Sequence, residues 1–164
     1  MKLIVSCSEL VQTVIEAEKA GICFYERLSE VMRSTKARDL FARIGEEEQQ
    51  HVCELERLSH AADGYHPTQM CAGVSPEEYS AYLRALLEGR LFTDERTCRQ
   101  MARNTWDEAA AAQLACTFEK EIILFLYEVR RFVPEAEKLA VDRLLEAGYT
   151  HLRLLHALGE SQRP

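Results

Sequence analysis

Glu46-Glu47-Glu48-Gln49-Gln50-His51 sets a carboxylate and an imidazole three residues apart in a proline-free run. The apolar residues around it, Phe41, Ile44, Leu55 and Leu58, recur at helical spacing. Three residues turn an α-helix through about 300 degrees, so Glu48 and His51 stand about 60 degrees apart on one face. That face is otherwise apolar, which marks it as the buried one. One hundred residues later the spacing returns as Gly148-Tyr149-Thr150-His151, between Val141, Leu144, Leu155 and Leu158. Its carboxylate is missing. Glu18 is matched in the same way by Glu119, 101 residues on.

The two outer helices carry stripes of the same kind. Cys7, Val11, Val14, Glu18, Gly21, Tyr25, Leu28 and Met32 form one, and Ala112, Ala115, Glu119, Ile122, Leu126 and Val129 the other. Each stripe is apolar at both ends and holds an acid or imidazole at mid-length. In an antiparallel bundle the mid-length positions of all four helices meet at one level.

The punctuation of the chain supports four long helices. Ser6-x-x-Glu9 has the form of a capping box and opens a helix over about 7–33; a second runs over about 36–62, to the stop signal Asp63-Gly64. Residues 64–75 read as a loop. Ser75-Pro76-Glu77-Glu78 supplies a cap, a proline at the first helical position and an acid at the third, for a short helix over about 76–89. A further turn or two is expected around Asp94–Met101. Thr105-x-x-Glu108 reads as another capping box before a helix over 105–132, and Pro134 starts a last helix over 134–158, stopped by Gly159. Sustained period-two alternation is absent, so the fold class is all-α, one domain over 1–164 with two helical hairpins and a long crossover.

Composition narrows the function. At 164 residues the chain can bury a core without staples. A net charge of −7 without a basic cluster argues against nucleic acid. No apolar run is long enough for a membrane span, and Leu3-Ile4-Val5 is too short for a signal-peptide core, so a cytoplasmic location is expected. The six cysteines never form C-x-x-C and read as reduced, mostly buried thiols.

Three carboxylates buried near one another are too costly unless cations neutralise them or they take up protons. Metal ions are the simpler answer. Carboxylate oxygens with imidazole, and no thiolate in the set, favour iron or manganese, with zinc a further choice.

These residues resemble the rubrerythrin-like branch of the ferritin-like superfamily. Glu18-Lys-Ala-Gly-Ile-Cys-Phe-Tyr25 looks like its first-helix motif E-x6-Y, and Glu46-Glu-Glu-Gln-Gln-His51 like its E-E-x-x-H. Glu119-Lys-Glu-Ile-Ile-Leu-Phe-Leu-Tyr127 looks like the third-helix motif, and Ala147-Gly-Tyr-Thr-His151 stands at the second E-x-x-H. The resemblance implies a ferritin-like four-helix bundle with Glu18 and Glu119 as terminal ligands, Glu48 bridging two iron ions, and His51 and His151 one to each. It also implies a homodimer and dioxygen- or peroxide-handling oxidoreductase chemistry. Because the paired C-x-x-C motifs of a rubredoxin-type centre are absent, turnover would need an external electron donor.

Gly148 occupies the place of the fourth carboxylate. Glu146 does not replace it, since two residues rotate a helical side chain by about 200 degrees. The expected consequence is weakened or asymmetric metal loading, or a small ligand in the space left by Gly148. Tyr25 lies two turns after Glu18 and is either an outer hydrogen-bond donor to a ligand or satisfied by backbone. Tyr127 sits one position off its stripe. Cys116, one turn before Glu119, is expected to point into the bundle, as a redox-active or a packing thiol. The alternative to a metal protein is a metal-free bundle acting as a structural or interaction module, with the glutamates protonated or paired with buried cations.

Overall fold

The computed structural model describes residues 7–63, 73–88, 90 and 94–161. These residues include six α-helices: α1 (Cys7–Val31), α2 (Thr35–Ala61), α3 (Pro76–Leu87), α4 (Glu95–Arg103), α5 (Glu108–Phe132) and α6 (Lys138–Glu160), the last preceded by a 3-10 turn, Glu135–Glu137. Among the described residues there is no strand, and no helix is long and apolar enough to cross a membrane.

Four long helices form the bundle, α1 packing on α2 and α5 on α6. Cross-helix pairs fix the directions. Ser8 meets Ser59 and Lys19 meets Glu56, so α1 and α2 are antiparallel. His151 meets Glu47 while Arg57 meets Glu137, so α2 and α6 are antiparallel as well. It follows that α2 and α5 run parallel, and the connection between them must travel the length of the bundle. That requirement explains the long middle segment. Its helix α4 packs on α1 through Cys98 and Ala102. Helix α3 is tied to α5 by Tyr79 and Tyr82, whose hydroxyls donate to the buried Glu128 at 2.9 and 2.8 Å.

Every position of the four stripes is buried except His51, which is half-buried. Aromatic rings fill the bundle beside the polar level: Tyr25 packs against Phe24, Phe41 and Phe118. Two glycines allow the close approach. A Cβ on Gly21 would land inside the Phe118 ring, and one on Gly45 would touch Tyr25 Cβ at 3.4 Å.

Several boundaries differ from the sequence reading. Ser75 and Glu78 form the expected reciprocal capping box. Thr105 and Glu108 do not. The cap of α5 is Asp107, which accepts from Ala110 N at 2.9 Å, while Glu108 bonds the backbone N and the hydroxyl of Ser34 at 2.8 and 3.0 Å. An acid at the start of one helix thus holds the start of another, because Ser34 is itself the N-cap of α2. After Pro134 the chain first makes the 3-10 turn, and α6 begins at Lys138 and runs through Gly159 to Glu160. Gly159 does not stop it; the glycine sits 3.5 Å, measured from an added Cβ, from Ala112 on α5. The segment near Asp94 is a full helix with Asp94 as N-cap. Ser6 and Gly64 lie outside the described residues. The described cysteines are free: Cys7, Cys23 and Cys98 are buried, Cys116 is half-buried and Cys53 is exposed. Cys71 lies outside the described residues.

Candidate metal centre

Glu18, Glu48, Glu119 and His151 are each at most 2% exposed, and they meet at one level with His51. The five side chains that the stripes singled out therefore come together. Their ligand-type atoms fall into two groups, each within 4.8 Å: Glu18, Glu48 and His51, and Glu48, Glu119 and His151.

Glu48 belongs to both groups. His51 Nδ1 lies 2.6 Å from its Oε2, and His151 Nδ1 lies 2.9 Å from its Oε1. The two rings face one another with centroids 5.6 Å apart. One carboxylate thus offers one oxygen to each imidazole. His151 Nδ1 is also 3.6 Å from Glu119 Oε2, yet it forms no hydrogen bond to either acid, and Glu18 Oε2 has no hydrogen-bond partner. Buried polar atoms are nearly always satisfied, so Glu18 Oε2 stands out, and His151 Nδ1 has only ion-pair contacts with the two acids. Among the described residues, no lysine or arginine pairs with Glu18, Glu48 or Glu119. The cation that the chain itself offers these acids is His151, whose Nδ1 stands 2.9 Å from Glu48 and 3.6 Å from Glu119.

The electrostatics show what the protein does with the charge by itself. Burial, then the charges of Glu48 and Glu119, raise Glu18 well above the usual carboxylate range. Burial and Glu48 push Glu119 up to about 7. Glu48 goes the other way: burial opposes its charge, but His151 and His51 beside it outweigh that and hold the carboxyl at about 2. Burial likewise opposes a charge on His151, and the Glu119 and Glu48 carboxylates reverse this, pushing it up to about 11. The metal-free layer is a protonated imidazole against one ionised acid, flanked by acids that retain protons.

Two outer residues hold the ligands in place. Tyr25 Oη donates to Glu119 Oε1 at 2.5 Å, reaching from α1 to α5. His151 Nε2–H donates to Glu47 Oε2 at 2.7 Å, which leaves Nδ1 as the nitrogen facing the acids. Glu47 is absent from the residues singled out in the sequence, where the run 46–48 hides it among solvated acids. The available signal was its place beside Glu48: a one-residue step turns a side chain by about 100 degrees, toward the neighbouring α6. A histidine ligand regularly donates its second N–H to such a carboxylate.

Two residues expected near the centre are elsewhere. Tyr127, eight residues after Glu119 and hence about 80 degrees off its face, is half-exposed and hydrogen-bonds the Tyr149 hydroxyl. Cys116 is half-buried and lines a groove of about 580 Å³ between α5 and α6, together with Lys120, Leu152 and His156. Burial raises its thiol pKa. The space at Gly148 is also not free. A Cβ there would lie 3.1 Å from Ile123 Cγ1, 3.5 Å from Ile123 Cδ1 and 3.9 Å from Glu119 Oε2. The position faces Glu119, and Ile123 packs against it.

Two antiparallel helix pairs, joined by a full-length crossover around a mid-bundle acid–imidazole layer, constitute a ferritin-like fold. Among solved structures, the chain is similar to a Thermotoga maritima protein described as ferritin-like and diiron-carboxylate, with a TM-score of 0.73 at 19% identity over 96% of this chain and 97% of that one. At that identity the likeness concerns the fold. No protein-family model matches the chain, and no curated protein matches it in sequence.

Proposed function

We propose that this protein is a divalent-metal, and specifically iron, binding bundle of the carboxylate-bridged kind, with Glu18, Glu48, His51, Glu119 and His151 as its ligands. The observation that carries the reading is the pair of buried acid–imidazole groups that share the Glu48 carboxylate, which faces both imidazoles, with Glu18 Oε2 left unpartnered. The donor set fits: three carboxylates and two imidazoles suit iron or manganese. The diiron-carboxylate description of the structural neighbour agrees with it.

Within this reading Glu18 and His51 would hold a metal on one side, Glu119 and His151 on the other, and Glu48 would be shared between them. Bound iron would supply one-electron chemistry toward dioxygen or peroxide, drawing on an external electron donor. Tyr25 holds Glu119 by its hydroxyl and keeps a proton within reach of that acid. Glu47 holds the ring of His151. The buried rings of Phe24, Phe41 and Phe118 pack around Tyr25.

The test is anaerobic reconstitution with ferrous iron and elemental analysis. Uptake of one to two ions per chain, lost in Glu48→Ala, is the expected result. No uptake, with unchanged thermal stability in chelator and in Glu48→Ala, would mean that the bundle is a metal-free structural or interaction module.

A further inference from the structure

The repeat that pairs Glu18 with Glu119 and Glu48 with position 148 also pairs the residues that support them. Tyr25 corresponds to Leu126, and Glu47 corresponds to Ala147. In the first half both outer groups are present; in the second both have been replaced by side chains without a polar atom. The supports do not serve their own half. Tyr25 bonds Glu119 at 2.5 Å, and Glu47 bonds His151 at 2.7 Å. Everything the first half supplies therefore orients ligands contributed by the second.

The group Glu48, Glu119 and His151 is consequently set in advance. Glu119 is held by Tyr25, His151 is fully buried and held by Glu47, and Glu48 is held by His51 Nδ1 at 2.6 Å. His151 Nδ1 is left aimed between two carboxylates with no hydrogen bond of its own. In the group Glu18, Glu48 and His51 the His51–Glu48 bond lies within the group, and no described side chain from outside it holds Glu18 Oε2 or His51 Nε2. The His51 side chain is 16% exposed. Leu126 and Ala147 are where those partners would have stood. The fourth carboxylate, which would have tied the two groups together, is absent at Gly148, and Ile123 packs in its place.

We propose that the two halves of the centre are unequal: the first divalent ion binds Glu48, Glu119 and His151, and the second binds Glu18, Glu48 and His51 far more weakly. This rests on the metal-binding reading and adds to it an order and a cause. Preset ligands bind without the cost of being oriented, and loss of an outer partner weakens metal affinity by about 10–100-fold.

Cobalt(II), titrated anaerobically into the metal-free full chain, tests this through its visible absorption, with equilibrium dialysis counting ions per chain. Two steps are expected, separated by at least about tenfold in affinity. Glu47→Gln, a conservative change at a half-exposed side chain, weakens the tighter step by about 10–100-fold; His51→Ala abolishes the weaker step. Circular dichroism confirms that both variants keep their helices. Two ions binding in one indistinguishable step, or a tighter step removed by His51→Ala and untouched by Glu47→Gln, overturns the proposal while leaving metal binding intact. No cobalt uptake by the unaltered chain overturns the metal-binding reading itself.

Discussion

Tyr25 on α1 donates its hydroxyl to Glu119 on α5 across 2.5 Å, so the phenol that sits two turns from Glu18 serves the acid of the opposite hairpin. The ring is fully buried against Phe24, Phe41 and Phe118. Tyr25→Phe keeps that packing and removes only the oxygen, leaving Glu119 Oε1 without its donor. A buried acceptor left unsatisfied costs about 1–3 kcal/mol. Urea unfolding of the metal-free variant should show a loss of that size with an unchanged denaturant slope. A change within about 0.5 kcal/mol would mean that the bond does not hold Glu119.

Gly148→Glu alone should not repair the centre. Its Cβ would press on Ile123 Cγ1 at 3.1 Å, and overpacking of this kind costs about 1–3 kcal/mol. Combined with Ile123→Ala, the same glutamate has room to reach Glu119, whose Oε2 lies 3.9 Å from that Cβ. The double variant should bind two ions per chain in steps closer in affinity than those of the unaltered chain, measured by metal analysis after graded loading. If Gly148→Glu alone achieves this as well as the double variant, Ile123 is not the obstacle.

The parts of the centre that were legible in the sequence are those that period alone decides. Glu18, Glu48, His51, Glu119 and His151 lie on stripes whose apolar ends had to be buried, and burial carried the polar residues inward with them. What period cannot show is which neighbour a side chain meets. Glu47 and Glu46 look alike in the sequence, yet Glu47 reaches His151 on α6 and Glu46 is exposed. Tyr25 crosses to the other hairpin, and Ile123 closes the gap at Gly148, for reasons set by helix separation. The same limit applies at the caps: Thr105-x-x-Glu108 has the letters of a capping box, but Asp107 caps α5 and Ser34 captures Glu108. Tertiary partners compete with local ones for a charged side chain, and here they win.

The acids predict how pH and metal act together. Glu18 and Glu119 hold their protons more tightly folded than unfolded, Glu119 to about 7. Their contribution to metal-free stability is full below their ordinary value of 4.5 and is lost as pH rises through the folded value. His151, raised from 6.5 to about 11, behaves the same way over the higher window. Glu48, lowered to about 2, has the opposite sign and matters only as pH falls below 4.5. Metal-free protein should therefore lose stability from pH 5 to 8, and metal ions, which must displace these protons, should bind more tightly and stabilise more across the same range. Thermal melts with and without manganese at each pH, and proton release in weakly buffered titrations, measure both effects. A manganese-induced shift in Tm that is flat from pH 5 to 8 would contradict the assignment of protons to these groups.

Gly21 lies one turn after Glu18, and the Phe118 ring, one residue before Glu119, packs directly on its backbone. No side chain fits between them: a methyl group at Gly21 would overlap the ring carbons. Gly21→Ala brings a helix-propensity gain of about 1 kcal/mol, so a net loss must come from packing. Because Phe118 is buried and also meets Tyr25 edge-on, it cannot swing aside without disturbing the Tyr25–Glu119 bond. The expected outcome is a net destabilisation of about 1–3 kcal/mol together with weaker metal uptake, as α1 and α5 are forced apart at the level of the acids. Gly21→Ala with Phe118→Leu should recover part of both losses, since the smaller side chain vacates the contested space. If Gly21→Ala stabilises the chain, the glycine is not what sets the spacing between Glu18 and Glu119.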